Sequence, residues 1–259
     1  MATDISERKR LDHAQDEYVL NVSHELRTPL TSIAGSLGLL LGGAAGQLPQ
    51  QAERLLSIAH NNCQRLLRLI NDILDIEKVE SGKMQFHLKR IDLRALVEDV
   101  LEANRPYADG FDVTLRLDPG AASGEVYADP DRLAQAVTNL LSNAIKFSPA
   151  HGEVFVSIAK RKQTFRFAVR DHGPGIPKEF RPRLFEKFAQ ADTTDARQKS
   201  GSGLGLSIVK QIVTRLGGIV GFEDADGGGT IFYIALPSWA AIAAHEIDPK
   251  RSADCPRVA

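Results

Sequence analysis

Two apolar stripes at helical spacing, separated by GGAAGQLP, constrain this chain more than any other feature. Leu11, Val19, Val22, Leu26, Ile33, Leu37 and Leu40 recur at the period of one helix face, and Leu55, Ala59, Asn62, Leu66, Leu69, Ile73 and Ile76 do so beyond the break. Ser81 and Gly82 end the second stripe. The pattern predicts a helical hairpin over residues 11–82. Two long helices with one narrow stripe each cannot enclose a core alone, so the expectation is a homodimer in which two hairpins form a four-helix bundle.

After Gly82 the pattern changes to short alternating elements. MQFHLKRIDL reads as a strand entering a helix at Asp92, FDVTLRLD as a second strand, and ADPDRLAQAVTNLLSNAIKF as a helix with Asp129 at its N-cap and Pro130 at its first position. GEVFVSIAKRKQTFRFAVR reads as a hairpin, GIPKEFRPRLFEKF as helical turns, GLGLSIVKQIVTRLGG as a helix, and GIVGFEDADGGGTIFYIALP as a closing hairpin. With no repeating βαβ unit, these elements predict an α/β sandwich whose mixed sheet carries helices on one face. The fold class is thus α+β: a dimerising helical hairpin at 11–82 and a sandwich at 83–239. Residues 1–10 read as a linker, and 240–259, which carries charges, Pro and Ser, as a tail or linker.

Composition limits the partners. In 259 residues, 43% hydrophobic and 25% charged, the formal net charge is -1, which supplies no global attraction to nucleic acid or to an anionic membrane. Cys63 and Cys255 lack metal-ligand spacing, which fits a reduced cytosolic setting. No apolar run approaches the ~20 residues of a membrane span, and MATDISERKR lacks the apolar core of a signal peptide. The expected location is cytoplasmic, with any membrane anchor of a parent protein outside this chain.

The first helix carries SHELRTPL at residues 23–30. At 100° per residue, the stripe through Val22, Leu26, Ile33 and Leu37 places His24 almost opposite it, facing outward. Thr28 stands one turn above His24, and Glu25 lies beside it around the circumference. Pro29 removes the hydrogen bond to the Glu25 carbonyl and predicts a bend. An exposed histidine is in most chains only a solvated side chain. Here its neutral imidazole has a lone pair available near neutral pH, with a carboxylate beside it to hold the opposite N–H and a hydroxyl one turn away to orient water.

Three downstream clusters suit a nucleotide. Asn139, Asn143 and Lys146 share one face beside the apolar stripe Leu133, Val137, Leu140 and Ala144; amide oxygens suit Mg²⁺ and a lysine suits phosphate. Asp171 continues the inward face of Phe165, Phe167 and Val169, where a buried carboxylate needs a partner such as an adenine amino group. Gly173, Pro174, Gly175 and Pro177 turn the chain beside it. Gly201, Gly203 and Gly205 precede a helix whose N-terminal amides favour anions. Before them QADTTDARQKSGS reads as a flap, with Phe185 and Phe188 anchoring its base. Taken singly, the first cluster also reads as a solvated polar face and the second as a structural turn with a capping aspartate, and three spaced glycines are a weak pattern. Neither G-x-G-x-x-G nor a G-x-x-x-x-G-K-[ST] loop occurs, which argues against Rossmann and P-loop readings.

Together these segments resemble the catalytic core of sensor histidine kinases, the two-component autokinases, from about Arg10 to Pro237. SHELRTPL resembles the H-box, TNLLSNAIKFS the N-box, DHGPGIP the first glycine box, FEKF the F-box and GSGLGLSIV the second glycine box, in the family's order. The resemblance implies ATP-dependent phosphorylation of His24, with Glu25 as base, and transfer to an aspartate of a response-regulator receiver domain. Thr28 would favour dephosphorylation of that regulator. Asn143 would ligate Mg²⁺, Asn139 and Lys146 would contact phosphates, and Asp171 would read adenine in a pocket shaped by Gly173 and Gly175. Phe147, Lys199, Gly201, Gly203, Leu204 and Gly205 complete the implied nucleotide site. His172 departs from the asparagine common after that aspartate, with an expected effect on pocket detail only. DISERKR resembles the tail of a PAS sensor domain. The competing readings are an ATPase of the gyrase, mismatch-repair or chaperone type, a phosphatase-dominant sensor module, and a dimeric scaffold that binds nucleotide without transferring phosphate.

Overall fold

The computed structural model describes residues 25–81, 84–190 and 202–246, and divides the chain into two compact units between Met84 and Gln85. His24, Lys199 and Gly201, the stripe residues Leu11, Val19 and Val22, and the PAS-like start lie outside the described residues.

The first unit contains helix α1, helical over 25–41, and helix α2 (Gln50–Glu80). Helix α1 runs on through Pro29 without interruption. Gly43 and Gly46, at φ 86° and 85°, reverse the chain between the helices, and the Ala44 amide donates to the Leu39 carbonyl. The two helices are linked by polar bonds. Arg27 Nη2 donates to Asn71 Oδ1 at 2.9 Å, and His60 Nδ1 lies 3.1 Å from the Ala34 carbonyl oxygen. Ala34, Ile70, Leu74 and Ile76 are buried, whereas the stripe residues Leu26, Ile33, Leu55 and Leu66 are about half exposed or more. The stripe read from the sequence is therefore mostly not the side the hairpin closes on itself. Among the described residues, no helix is long and apolar enough to cross a membrane.

The second unit holds a five-stranded mixed sheet in the order β2 (Thr114–Leu117), β4 (Glu153–Arg161), β5 (Thr164–Arg170), β7 (Thr230–Pro237), β6 (Ile219–Asp224). β2 and β4 are parallel and the other neighbours antiparallel. One sheet face is core: Val154, Val156, Ile158, Phe165, Phe167, Val169, Phe232, Ile234 and Leu236 are all buried. Alternate residues such as Phe155, Ser157, Arg166 and Tyr233 lie half-exposed on the opposite face, as strand periodicity requires. Helix α4 (Pro130–Phe147) packs on β4 and β5 by its stripe Leu133, Val137, Leu140 and Ala144. Helices α3 (Leu93–Asp109) and α5 (Gly205–Arg215) flank it.

One strand was not read from the sequence, and one expectation needs correction. Glu125–Ala128 forms β3, which pairs antiparallel with β1 (Lys89–Asp92) in a separate two-stranded sheet. The segment from Ala240 is not all tail, because helix α6 spans Trp239–Glu246 and Trp239 packs against Tyr127 of β3 at 5.3 Å between ring centroids. Four alanines in WAAIAAHE favour a helix locally, and the Trp239 contact ties its start to β3.

Asp129 ties these parts together. Its Oδ1 accepts from the Asp131 and Arg132 amides at 3.0 and 3.1 Å, and its Oδ2 from the His87 amide at 2.7 Å, fastening the entry to β1 onto the start of α4. Burial pushes its carboxyl up, but the amide bonds and the Arg132 charge outweigh burial and hold it below its ordinary value. Asp129→Ala is expected to cost about 2 kcal/mol in chemical denaturation, more than the ~1 kcal/mol of a simple cap, because a third amide loses its acceptor. Because the native value is depressed, that contribution is present above the unfolded carboxylate range and lost as pH falls through the native one.

Candidate nucleotide site

The site is built where β5 ends. Asp171 leaves the strand on its inward face and is buried, 4% exposed. Its Oδ1 accepts from the Gly173 amide at 2.8 Å and the Thr230 amide at 3.2 Å, while its own amide donates to the Thr230 carbonyl at 2.9 Å. The second carboxylate oxygen makes no hydrogen bond among the described residues. Burial raises the Asp171 carboxyl above its ordinary value, against the pull of those two amides and of His172. A buried carboxylate with one oxygen committed and the other unused is suited to a neutral N–H donor from a ligand.

Two glycines permit this arrangement. A Cβ on Gly173 would stand 2.7 Å from the Phe147 carbonyl oxygen and 3.0 Å from Asp171 Oδ1. Gly229, at φ 90°, would drive a Cβ into the Asp171 carbonyl. Gly175 follows at φ 78°. The Gly229 and Thr230 contributions were missed in the sequence, where GGGT reads only as a hairpin turn. The run of three glycines was the available signal.

Asn139, Asn143 and Lys146 lie along α4 at the edge of its apolar stripe, all half-buried. Asn139 Nδ2 donates to the Gly205 carbonyl at 3.4 Å, which places α4 beside the start of α5. The Asn143 side-chain amide takes part in no hydrogen bond among the described residues. Lys146 Nζ lies 4.9 Å from the ring centre of Phe147, itself 39% exposed.

At α5, Gly203 has φ 71°, and a Cβ there would meet the Phe188 backbone at 2.8 Å. Leu204 is fully buried and anchors the turn; its amide donates to Ser202 Oγ and its carbonyl accepts from Ser207 Oγ. No side chain caps the helix that begins at Gly205. Phe185 packs against Phe222 at 6.5 Å, while Phe188 is 65% exposed with φ 58°, so of the two residues read as flap anchors only Phe185 is packed. The described residues thus bring together Asp171, Gly173 and Thr230, and separately Asn139 and Gly205. In the first unit, Glu25 and Thr28 are exposed on α1.

Residues 14–82 match the His Kinase A (phospho-acceptor) domain, and residues 128–240 match the histidine kinase-, DNA gyrase B- and HSP90-like ATPase domain. Across 243 residues, 93% of the chain, it is 37% identical to the circadian input-output histidine kinase CikA of Synechococcus elongatus, of which it spans 32%. It is 33% identical to the sensor histidine kinase WalK of Bacillus subtilis over 90% of its length, spanning 38% of that protein. The chain therefore corresponds to about a third of these curated relatives. Among solved structures, full-length ShkA in complex with AMPPNP superposes over 86% of the chain and 46% of its own, with a TM-score of 0.69 and 30% identity. The mycobacterial sensor histidine kinase MprB matches at 32% identity and TM-score 0.51, over 58% of this chain and 97% of its own.

Proposed function

Because the chain belongs to the histidine kinase family, we propose that it transfers the γ-phosphoryl group of ATP to His24 and then to an aspartate of a response-regulator receiver domain. The observation that supports this reading most is Asp171, a buried carboxylate held by Gly173 and Thr230 with one oxygen left for a donor. The adenine amino group is that donor, with Gly173 and Gly175 shaping the pocket around the base.

The remaining roles follow from residue chemistry. Asn139 and Lys146 contact the phosphates, Phe147 closes the pocket edge, and Gly203, Leu204 and Gly205 present the uncapped amides of α5 to the phosphate chain. Lys199 and Gly201 complete the residues of the nucleotide site. The uncommitted Asn143 amide fits Mg²⁺, a hard cation that takes oxygen ligands, and the ion when bound neutralises charge on the phosphates. A lone pair of the neutral His24 imidazole forms the N–P bond as the bond from phosphorus to the β,γ-bridging oxygen breaks and ADP leaves. Glu25 takes the proton from the opposite ring nitrogen. Thr28, one turn on, positions water for dephosphorylation of the partner regulator. The half-exposed Leu26, Ile33, Leu55 and Leu66 form the homodimer seam of a four-helix bundle. The acting protein is cytoplasmic at this segment and carries a PAS-like sensor ahead of it.

The test is incubation with γ-labelled ATP. Acid-labile, base-stable label on the protein is the expected result, and phosphate release without labelling would instead establish an ATPase of the gyrase or chaperone type.

A further inference from the structure

Where β5 ends, its two neighbours part company with it at different places. On the β7 side the ladder continues past Arg170, since the Asp171 amide donates to Thr230. On the β4 side the last pair is Phe155 with Arg170. Continuing that register places Glu153 opposite His172. The Gly152 and Val156 carbonyls accept from β2, so by strand alternation the Glu153 carbonyl faces β5, where no strand remains to supply an amide. The His172 ring fills the gap, its Nδ1 standing 2.9 Å from the Glu153 carbonyl oxygen. A carbonyl can only accept, so Nδ1 carries the proton and donates.

We propose that His172 is a positioning residue for nucleotide recognition: its imidazole replaces the missing ladder bond to Glu153 and fixes the backbone next to Asp171. The inference rests on the reading of Asp171 as the adenine acceptor. Asp171 Oδ1 is fastened by Gly173 on one side of His172 and by Thr230 across the sheet. Both bonds depend on the direction in which the chain leaves β5. Without the His172 tether that exit is held from the β7 side alone, and the unused Asp171 oxygen loses its aim at the base. His172 itself is exposed, so it contributes little to the core.

The test compares His172→Ala with His172→Asn, because the asparagine Nδ2 sits at the same distance along the side chain as the imidazole Nδ1. His172→Ala is expected to raise the KM for ATP in autophosphorylation about tenfold, the worth of roughly one net hydrogen bond. Its kcat at saturating ATP should stay near wild type, its preference for ATP over GTP should fall, and its melting temperature should be little changed. His172→Asn is expected to restore both KM and base preference. An unchanged KM in the alanine variant, equal weakening by alanine and asparagine, or a fall in kcat without a rise in KM would each overturn the proposal. Direct ATP binding by the wild type is measured alongside: its absence overturns the adenine-site reading itself, whereas normal wild-type binding with an indifferent His172→Ala overturns this inference alone.

Discussion

Replacing Asp171 with asparagine is expected to abolish useful ATP binding and at the same time to raise the melting temperature of the ATP-free protein. The two effects have one cause. Burial already raises the Asp171 carboxyl above its ordinary value, so the ionised form carries an uncompensated desolvation cost in the absence of a ligand. The asparagine oxygen can keep both bonds from Gly173 and Thr230, and its neutral amide removes that cost. Each kcal/mol relieved corresponds to roughly 2–4 °C in a protein of this size. The same amide presents an N–H₂ where adenine presents another, so donor meets donor and affinity should fall by ~100-fold or more. Because the native value is raised, protonation favours the folded state: the stability it contributes is present below the unfolded carboxylate range and lost as pH rises through the native value. The melting-temperature gap between variant and wild type should therefore be widest at neutral pH and close on acidification. Calorimetric titration with ATP and thermal melts over pH measure both. A variant that melts lower than wild type at neutral pH would show that the two amide bonds need the charge.

The contrast between what could and could not be read from the sequence follows range. Helix α4 was legible because its signals are local: the Asp129 cap, Pro130 at the first turn and a regular stripe all lie within the helix and its first flanking residue. The inward direction of Asp171 followed from alternation with Phe165, Phe167 and Val169. Its partner Thr230 did not, because it lies 59 residues away and is brought near only by the β5–β7 ladder. The pairing of β1 with β3 was hidden for the same reason. Strand β3, only four residues long, carries little periodicity of its own, whereas α6 was missed although its Ala-rich sequence favours a helix locally. His172 was expected to matter only as pocket detail, since its tether is visible only once the end of the β4–β5 register is known.

His24→Gln and Asn143→Ala are each expected to reduce acid-labile label below ~1% of wild type, for reasons that separate the phosphoacceptor from the nucleotide site. Glutamine offers an amide nitrogen whose lone pair is delocalised into the carbonyl, so no nucleophile remains at position 24, while the second unit is untouched. ATP binding, including its dependence on Mg²⁺, should stay at the wild-type level. Asn143→Ala leaves His24 and the Asp171 contacts in place but deletes the uncommitted amide assigned to the metal. Adenine recognition should persist, and the gain in affinity that Mg²⁺ confers should vanish. Nucleotide titrations with and without Mg²⁺, run beside the labelling assay, read all four quantities. Each lesion leaves intact what the other removes, so a mixed dimer contains one working nucleotide site and one working histidine on different subunits. Label on the Asn143→Ala subunit would establish transfer between subunits, and a mixed dimer without label would place both steps within one chain. Undiminished labelling of His24→Gln would move the phosphoacceptor elsewhere and overturn the assignment on which the rest of the scheme depends.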